Sequence, residues 1–203
     1  MARRAMTRTA GTTAAAIGVL ALIGSGTAGA APATLTWNNN GTQYTHTVSD
    51  GTPAVGETIT VTTTLSRTQD PDETYDWFKD FHPSCLTYVT GSATVTDSTG
   101  THQVEPYLQI DPNFIAGDFT TAGLKLVAKA GSTPSPTFSA QYQVGSCTPG
   151  TALNTGIAYL SSAGQSDFST RGPSITVGGT PGGGTGTGSS NLTSLLGGFG
   201  SSK

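Results

Sequence analysis

Acidic and aromatic side chains are concentrated in one stretch of this chain, between Asp70 and His82. Its carboxylates belong to Asp70, Asp72, Glu73, Asp76 and Asp80, and its aromatic rings to Tyr75, Trp77, Phe78 and Phe81. Clustered carboxylate oxygens are the ligands that Ca²⁺ prefers, so the first four carboxylates form a candidate calcium site. The four aromatic side chains form a candidate recognition surface, on which a glycan or a protein partner would stack.

A simpler interpretation of the same stretch stays open beside these two. A turn followed by a strand would place the aromatic rings in the core and leave the acids facing water. The carboxylates also depart from the Asp-x-Asp-x-Asp-Gly spacing of an EF-hand loop. We therefore predict no resident metal and no cofactor, with calcium kept as the alternative.

Catalytic chemistry has little support in the residue spacing. The histidines are His46, His82 and His102, and none forms the His-x-x-x-His pair of a zinc enzyme. The chain has no Gly-x-Ser-x-Gly nucleophile motif. We predict no catalytic residue and a protein that is not an enzyme. The alternative is a secreted hydrolase with a site assembled from distant residues, which a histidine hydrogen-bonded to a serine and an aspartate would favour.

The first thirty residues predict export. Arg3, Arg4 and Arg8 precede an apolar run over residues 14–23, and small residues lead to Ala28-x-Ala30. A basic segment, a short apolar run and such a site are typical of a secretory signal peptide, here residues 1–30. The apolar run is too short to span a bilayer. Export by the general route or by the twin-arginine route both stay open.

Export changes the charge and the expected state of the cysteines. Losing three of nine basic residues leaves six against twelve acidic residues, a formal net charge of −6. An acidic chain is not expected to bind nucleic acid or an anionic membrane surface. In an exported protein Cys85 and Cys147 are expected to form a disulfide. Closing that loop of 62 residues contributes about 4 kcal/mol on the chain-entropy estimate.

Composition divides the rest of the chain into a folded unit and a tail. Residues 178–203 are Gly-rich and are expected to be a disordered tail. Its apolar tip, residues 192–199, offers an alternative function as a docking peptide. Residues 31–177 are expected to form one domain.

Short alternating runs predict strands throughout that domain. Only 10% of the residues are charged and 37 are Thr, which favours β-structure. Residues 57–65 alternate with period two and place Ile59, Val61, Thr63 and Leu65 on one face. The Asn40-Gly41 pair predicts a tight turn between two strands. We expect an all-β, antiparallel β-sandwich of about seven to nine strands with one disulfide.

Two segments resemble the bacterial immunoglobulin-like repeats of cell-surface proteins. Residues 53–61, with Val55-Gly56-Glu57-Thr58, are similar to the opening of those repeats, and residues 86–95 are similar to their most recognisable segment. The resemblance implies an immunoglobulin-like sandwich with a structural or adhesive role and no catalytic residues. It places the protein outside the cell or at the cell envelope, without a transmembrane segment after signal cleavage, where its partner would be a protein or a glycan.

Overall fold

The structure, a computed structural model, describes residues 31–178. These residues form fifteen strands and one 3₁₀ turn around a shared hydrophobic core. No helix within this range is long and apolar enough to cross a membrane. The predicted signal peptide, residues 1–30, and the predicted tail beyond Gly178 lie outside the described residues, so both stay predictions.

The first sheet is antiparallel and forms one layer of the sandwich. Its strands are β1 (Ala33–Asn39), β2 (Thr42–Val48), β3 (Thr58–Arg67), β5 (Leu86–Tyr88), β6 (Thr94–Asp97), β7 (Gly100–Gln103) and β11 (Thr137–Val144). They lie in the order β1-β2-β3-β11-β6-β7, and β5 pairs with β11 on the same side as β6.

The second sheet forms the opposite layer. Its strands are β4 (Glu73–Phe81), β8 (Leu108–Asp111), β9 (Phe114–Asp118), β10 (Leu126–Ala128), β13 (Gly156–Ser161) and β14 (Gly164–Phe168). The order is β14-β13-β4-β9-β8, with β10 also beside β4. A small third sheet pairs β12 (Ala152–Asn154) with β15 (Ser174–Thr176), and the 3₁₀ turn covers Glu105–Tyr107.

Alternation and turn chemistry account for the strands that were predicted best. Ile59, Val61, Thr63 and Leu65 are all buried, which confirms the predicted inner face of β3. Asn40 and Gly41 both have positive φ, 47° and 79°, and join β1 to β2 as the Asn-Gly pair predicts. The all-β antiparallel sandwich is confirmed. Its strand count exceeds nine because the short hairpin arms over residues 108–118 and 164–168 carry little periodicity.

The disulfide between Cys85 and Cys147 is confirmed, with 5.2 Å between the two Cα atoms. Cys85 directly precedes β5 and Cys147 lies just after β11, two strands that pair with each other. The amide of Gly145 also donates to the Cys85 carbonyl at 2.8 Å. The bridge therefore fastens two neighbouring strand ends within one sheet.

A buried ion pair links the two sheets inside the core. Arg67 on β3 donates from Nη1 to Oε2 of Glu73 on β4 at 3.0 Å, and both side chains are almost fully buried. Thr42 donates to the same carboxylate oxygen at 2.5 Å, and Ser161 donates to Oε1 at 2.6 Å. The carboxylate is therefore paired and hydrogen-bonded at both oxygens, as a buried charge requires.

Candidate binding site at the edge of the second sheet

A bulge in β4 decides which side chains of the acidic and aromatic stretch face outward. Tyr75 pairs with Ser161 and Trp77 with Leu160, so Asp76 is an extra residue between two consecutive positions of β13. An extra residue reverses the inward and outward alternation that follows it. Tyr75 and Phe78 thus both point into the core, at 1% and 0% exposure.

The predicted recognition surface is therefore wrong for Tyr75 and Phe78, because buried rings cannot contact a partner. Trp77 and Phe81 are partly exposed on the outer face of β4, together with Lys79. The simpler interpretation of this stretch is also wrong in part, since Glu73 and Asp80 are buried with the aromatic rings.

The four candidate calcium ligands do not meet at one point. Glu73 is engaged in the core by Arg67, Thr42 and Ser161. Asp72 lies 3.8 Å from the exposed ammonium of Lys129, and Asp76 faces solvent. Within residues 31–178, no group of three or more His, Cys, Asp or Glu side chains is placed to hold a metal ion.

Trp77 and Lys79 instead line a groove of about 390 Å³ on the outer face of the second sheet. The other lining residues are Tyr107, Gln109, Ala116, Gly117 and Asp118. Lys79 pairs with Ala116 on β9, and the short side chain of Ala116 leaves room for the groove. The Lys79 ammonium lies 3.9 Å from the centre of the Phe114 ring, a cation–π contact that fixes it beside the groove.

One wall of this groove belongs to β8, the last strand in the order of the second sheet. Gln109 faces the groove, and Tyr107 stands just before the strand at 39% exposure. Ile110, which follows Gln109 in β8, is 54% exposed. It pairs with the buried Ile115 of β9, so its side chain belongs to the inner side of the sheet. Among the described residues no strand pairs with the outer edge of β8, so the Ile110 side chain lies at an open edge of the sandwich.

A second cavity, of about 360 Å³, lies on the Ile110 side of β8. Its lining residues are His82, Ser84, Leu86, Thr87, Tyr88, Thr90, Ile110, Asp111 and Pro112. β8, an edge strand of the second sheet, therefore has one cavity on each of its two faces. An extended chain that paired with β8 would direct alternate side chains into these two cavities.

The lining of the second cavity also includes a histidine, a serine and an aspartate, the residue types that a hydrolase site would combine. Nδ1 of His82 donates to the Pro83 carbonyl at 3.0 Å, and its buried Nε2 has no hydrogen-bond partner. Burial lowers the pKa of His82. Neither Ser84 nor Asp111 is hydrogen-bonded to this ring. His82 therefore does not contact a serine nucleophile or an orienting aspartate, as the histidine of a hydrolase would.

The other two histidines are placed differently. His46 is fully buried between Thr63, 2.7 Å from Nδ1, and Thr155, 3.2 Å from Nε2. Burial lowers the pKa of His46 to about 4. His102 contacts Thr99 and Asp97 in the turn that joins β6 to β7. In residues 31–178, none of the three histidines is bonded to both a serine and an aspartate.

Similarity to known proteins is confined to solved structures. No protein-family model matches the chain, and no curated protein matches its sequence. The T6 backbone pilin of Streptococcus pyogenes matches with a TM-score of 0.39 and 12% identity, over 72% of this chain and 36% of the pilin. The chain thus spans about a third of that pilin's length.

Two single domains match over nearly their whole length. The collagen-binding domain of a Staphylococcus aureus adhesin matches with a TM-score of 0.32 and 11% identity, over 75% of this chain and 99% of that domain. The cohesin module of a Clostridium perfringens family 33 glycoside hydrolase matches with a TM-score of 0.32 and 8% identity, over 74% and 98%. Similarities this low do not bear on function.

Proposed function

We propose that this chain is a secreted, non-enzymatic binding and structural module of the bacterial cell envelope or extracellular space. Its binding site is the free edge of β8, and its ligand is an extended segment of a partner protein. The observation that carries the proposal is the pair of cavities on the two faces of this edge strand.

Strand addition explains both halves of the site. An edge strand presents unpaired backbone N–H and C=O groups that an incoming strand can use. Those backbone hydrogen bonds give affinity, and pockets for alternate side chains give specificity. The groove supplies Trp77 and Tyr107, aromatic residues of the kind that dominate binding energy at protein interfaces. The opposite cavity supplies the uncovered apolar surface of Ile110.

Substitutions on either face of β8 are expected to weaken binding. Tyr107→Ala removes an aromatic contact from the groove, and Ile110→Lys places a charge at the apolar side of the edge. Each should reduce binding of the mature chain, residues 31–203, to an envelope protein fraction by about tenfold or more. Binding is measured by biolayer interferometry on the immobilised protein.

Leu35→Lys is the matched control, because Leu35 is a similarly exposed residue, at 39%, on the edge strand of the other sheet. This variant should bind like the wild type. Protease treatment of the envelope fraction should abolish binding. Binding that survives protease treatment, or that Leu35→Lys weakens as much as Ile110→Lys does, would contradict the proposal.

A further inference from the structure

The outer face of the first sheet carries only hydroxyl and amide side chains. Every outward-facing position of β1, β2, β3, β11, β6 and β7 is Thr, Ser, Asn or Gln, and none of these positions is charged. The outer face of the second sheet, by contrast, carries Lys79, Asp118 and Asp167. A surface designed for solubility carries about 25–35% charged residues, so an uncharged face of six strands is unusual.

The pairing of the six strands aligns these side chains in rows. One row crosses the whole sheet and consists of Thr36, Thr45, Thr64, Thr137, Thr96 and Thr101. The neighbouring row consists of Thr34, Thr47, Thr62, Ser139, Thr94 and Gln103. With strands about 4.8 Å apart, each row extends for about 24 Å.

The hydroxyl groups within the all-threonine row are joined in pairs. The oxygen–oxygen distances are 3.3 Å for Thr36–Thr45, 3.1 Å for Thr64–Thr137 and 2.9 Å for Thr96–Thr101. In the Thr36–Thr45 and Thr96–Thr101 pairs one hydroxyl donates to the other, which leaves one O–H donor and free acceptor lone pairs for a ligand. Thr137 donates to the Ser135 carbonyl at 3.2 Å, so its pair with Thr64 offers acceptor lone pairs. Both ends of the row therefore offer donors and acceptors together, and its centre offers acceptors.

This chemistry excludes most ligand classes from the neutral face. Nucleic acids and anionic lipids require Lys or Arg, and a bound Ca²⁺ requires carboxylates. A protein partner requires aromatic or Arg anchors in a desolvated centre. None of these residue types faces outward on the six strands.

We propose that the neutral face binds an uncharged polysaccharide, with the sugar chain lying across the strands along the threonine rows. Sugar hydroxyls both donate and accept, as the paired threonines do, and threonine methyl groups can contact the C–H faces of pyranose rings. Successive residues of an extended pyranose chain repeat at nearly the spacing of neighbouring strands. This site lies on the opposite side of the sandwich from the groove, so one molecule would join a polysaccharide to a protein partner.

The test measures retention of the mature chain, residues 31–203, on microcrystalline cellulose, chitin and cross-linked dextran. We expect retention on at least one of these polymers, equal at low and at high salt because no charge is involved. The triple variant Thr45→Val, Thr64→Val, Thr137→Val keeps the β-branched shape and removes three hydroxyls. It should reduce retention by about tenfold or more, because each hydroxyl contributes a hydrogen bond.

Two further variants make the outcome specific to this face. Thr64→Lys, which places a charge in the middle of the row, should also reduce retention, whereas Tyr107→Ala on the opposite side should not. Circular dichroism and the thermal midpoint verify that each variant is folded. The proposal is overturned by retention on none of the polymers, by loss of retention at high salt, or by a folded triple variant that is retained like the wild type.

Discussion

The Asp80→Asn variant is expected to be more stable than the wild type at pH 8 and nearly as stable at pH 4. Asp80 is buried, with Tyr142 donating to its Oδ2 at 2.5 Å and no hydrogen bond to its Oδ1. Its neighbours in the sheet are Ile115 and Ile157, which supply no compensating charge. Burial accordingly raises the pKa of Asp80 from 3.8 to about 7.

The sign of the pH dependence follows from where protons bind. Between pH 4 and pH 7 the folded protein holds a proton on Asp80 that the unfolded chain has released. The free energy of unfolding therefore falls as pH rises through this window, by up to about 4 kcal/mol. Asparagine cannot ionise, so the variant avoids this loss. Its amide oxygen can still accept the hydrogen bond from Tyr142.

His46 makes the free energy of unfolding change with pH in the opposite direction. Its pKa falls from 6.5 to about 4 on burial, so the unfolded chain binds more protons between these values. Stability from His46 consequently rises with pH over the same window, and the lowered pKa of His82 acts in the same direction. In the wild type the pH dependence due to Asp80 and that due to His46 oppose each other. The Asp80→Asn variant keeps only the contribution of the histidines, so its free energy of unfolding should rise from pH 4 to pH 6.5.

Urea unfolding at pH 4, 6 and 8 measures these differences. Asp76→Asn is the control, since Asp76 is an exposed carboxylate on the same strand, and it should change the free energy of unfolding little at any pH. An Asp80→Asn variant destabilised by the same amount at all three pH values would contradict the account of Asp80.

The second large effect is expected at the buried ion pair. Glu73→Ala should lower the free energy of unfolding by about 3–5 kcal/mol, because it leaves the Arg67 guanidinium buried without its counter-charge. The hydrogen bonds that Arg67 makes to the Pro71 and Asn40 carbonyls do not neutralise that charge. The double variant Arg67→Met, Glu73→Leu removes both charges and should lose much less.

Asp72→Ala provides the control for this ion pair. Asp72 contacts Lys129 at the surface, and exposed pairs of this kind contribute at most about 1 kcal/mol. A double-mutant cycle on Arg67 and Glu73, followed by urea unfolding, gives the coupling between them. A coupling near zero, with Glu73→Ala no worse than Asp72→Ala, would contradict the role of the pair.

Local patterns were sufficient to predict the elements whose residues obey them. The alternation over residues 57–65 predicted the inner face of β3, and Asn40-Gly41 predicted the first hairpin. The two cysteines predicted the bridge, though not that it joins two paired strands of one sheet. That arrangement depends on the pairing of β5 with β11, which sequence spacing does not specify.

The binding site depended on two features that local patterns do not show. The bulge at Asp76 reverses the alternation of β4, so strict period-two reading cannot separate outward Trp77 from inward Phe78. The edge position of β8 is set by the order of strands, which is a property of the whole sheet. The turn residues Asp111-Pro112-Asn113 between two short apolar runs were the signal that could have revealed the β8–β9 hairpin.

For the neutral face, too, the sequence shows which side chains of one strand face outward, but not how they align with those of other strands. The alternating threonines of β3, such as Thr60, Thr62 and Thr64, are visible in the sequence as the outward partners of its buried residues. Their alignment with threonines from β2 and β11 follows from strand register. Register across a sheet is fixed by contacts between residues far apart in the chain.

Hydrogen–deuterium exchange on residues 31–203, free and in the presence of the envelope protein fraction that they bind, tests the central claim most directly. Strand addition at β8 predicts slower exchange of the Leu108–Asp111 amides on binding, because the incoming strand occupies their free edge. The amides of β1, an edge strand of the first sheet (Ala33–Asn39), should exchange at the same rate in both states. Unchanged exchange over Leu108–Asp111 in the bound protein, or slowing confined to Ala33–Asn39, would contradict the account.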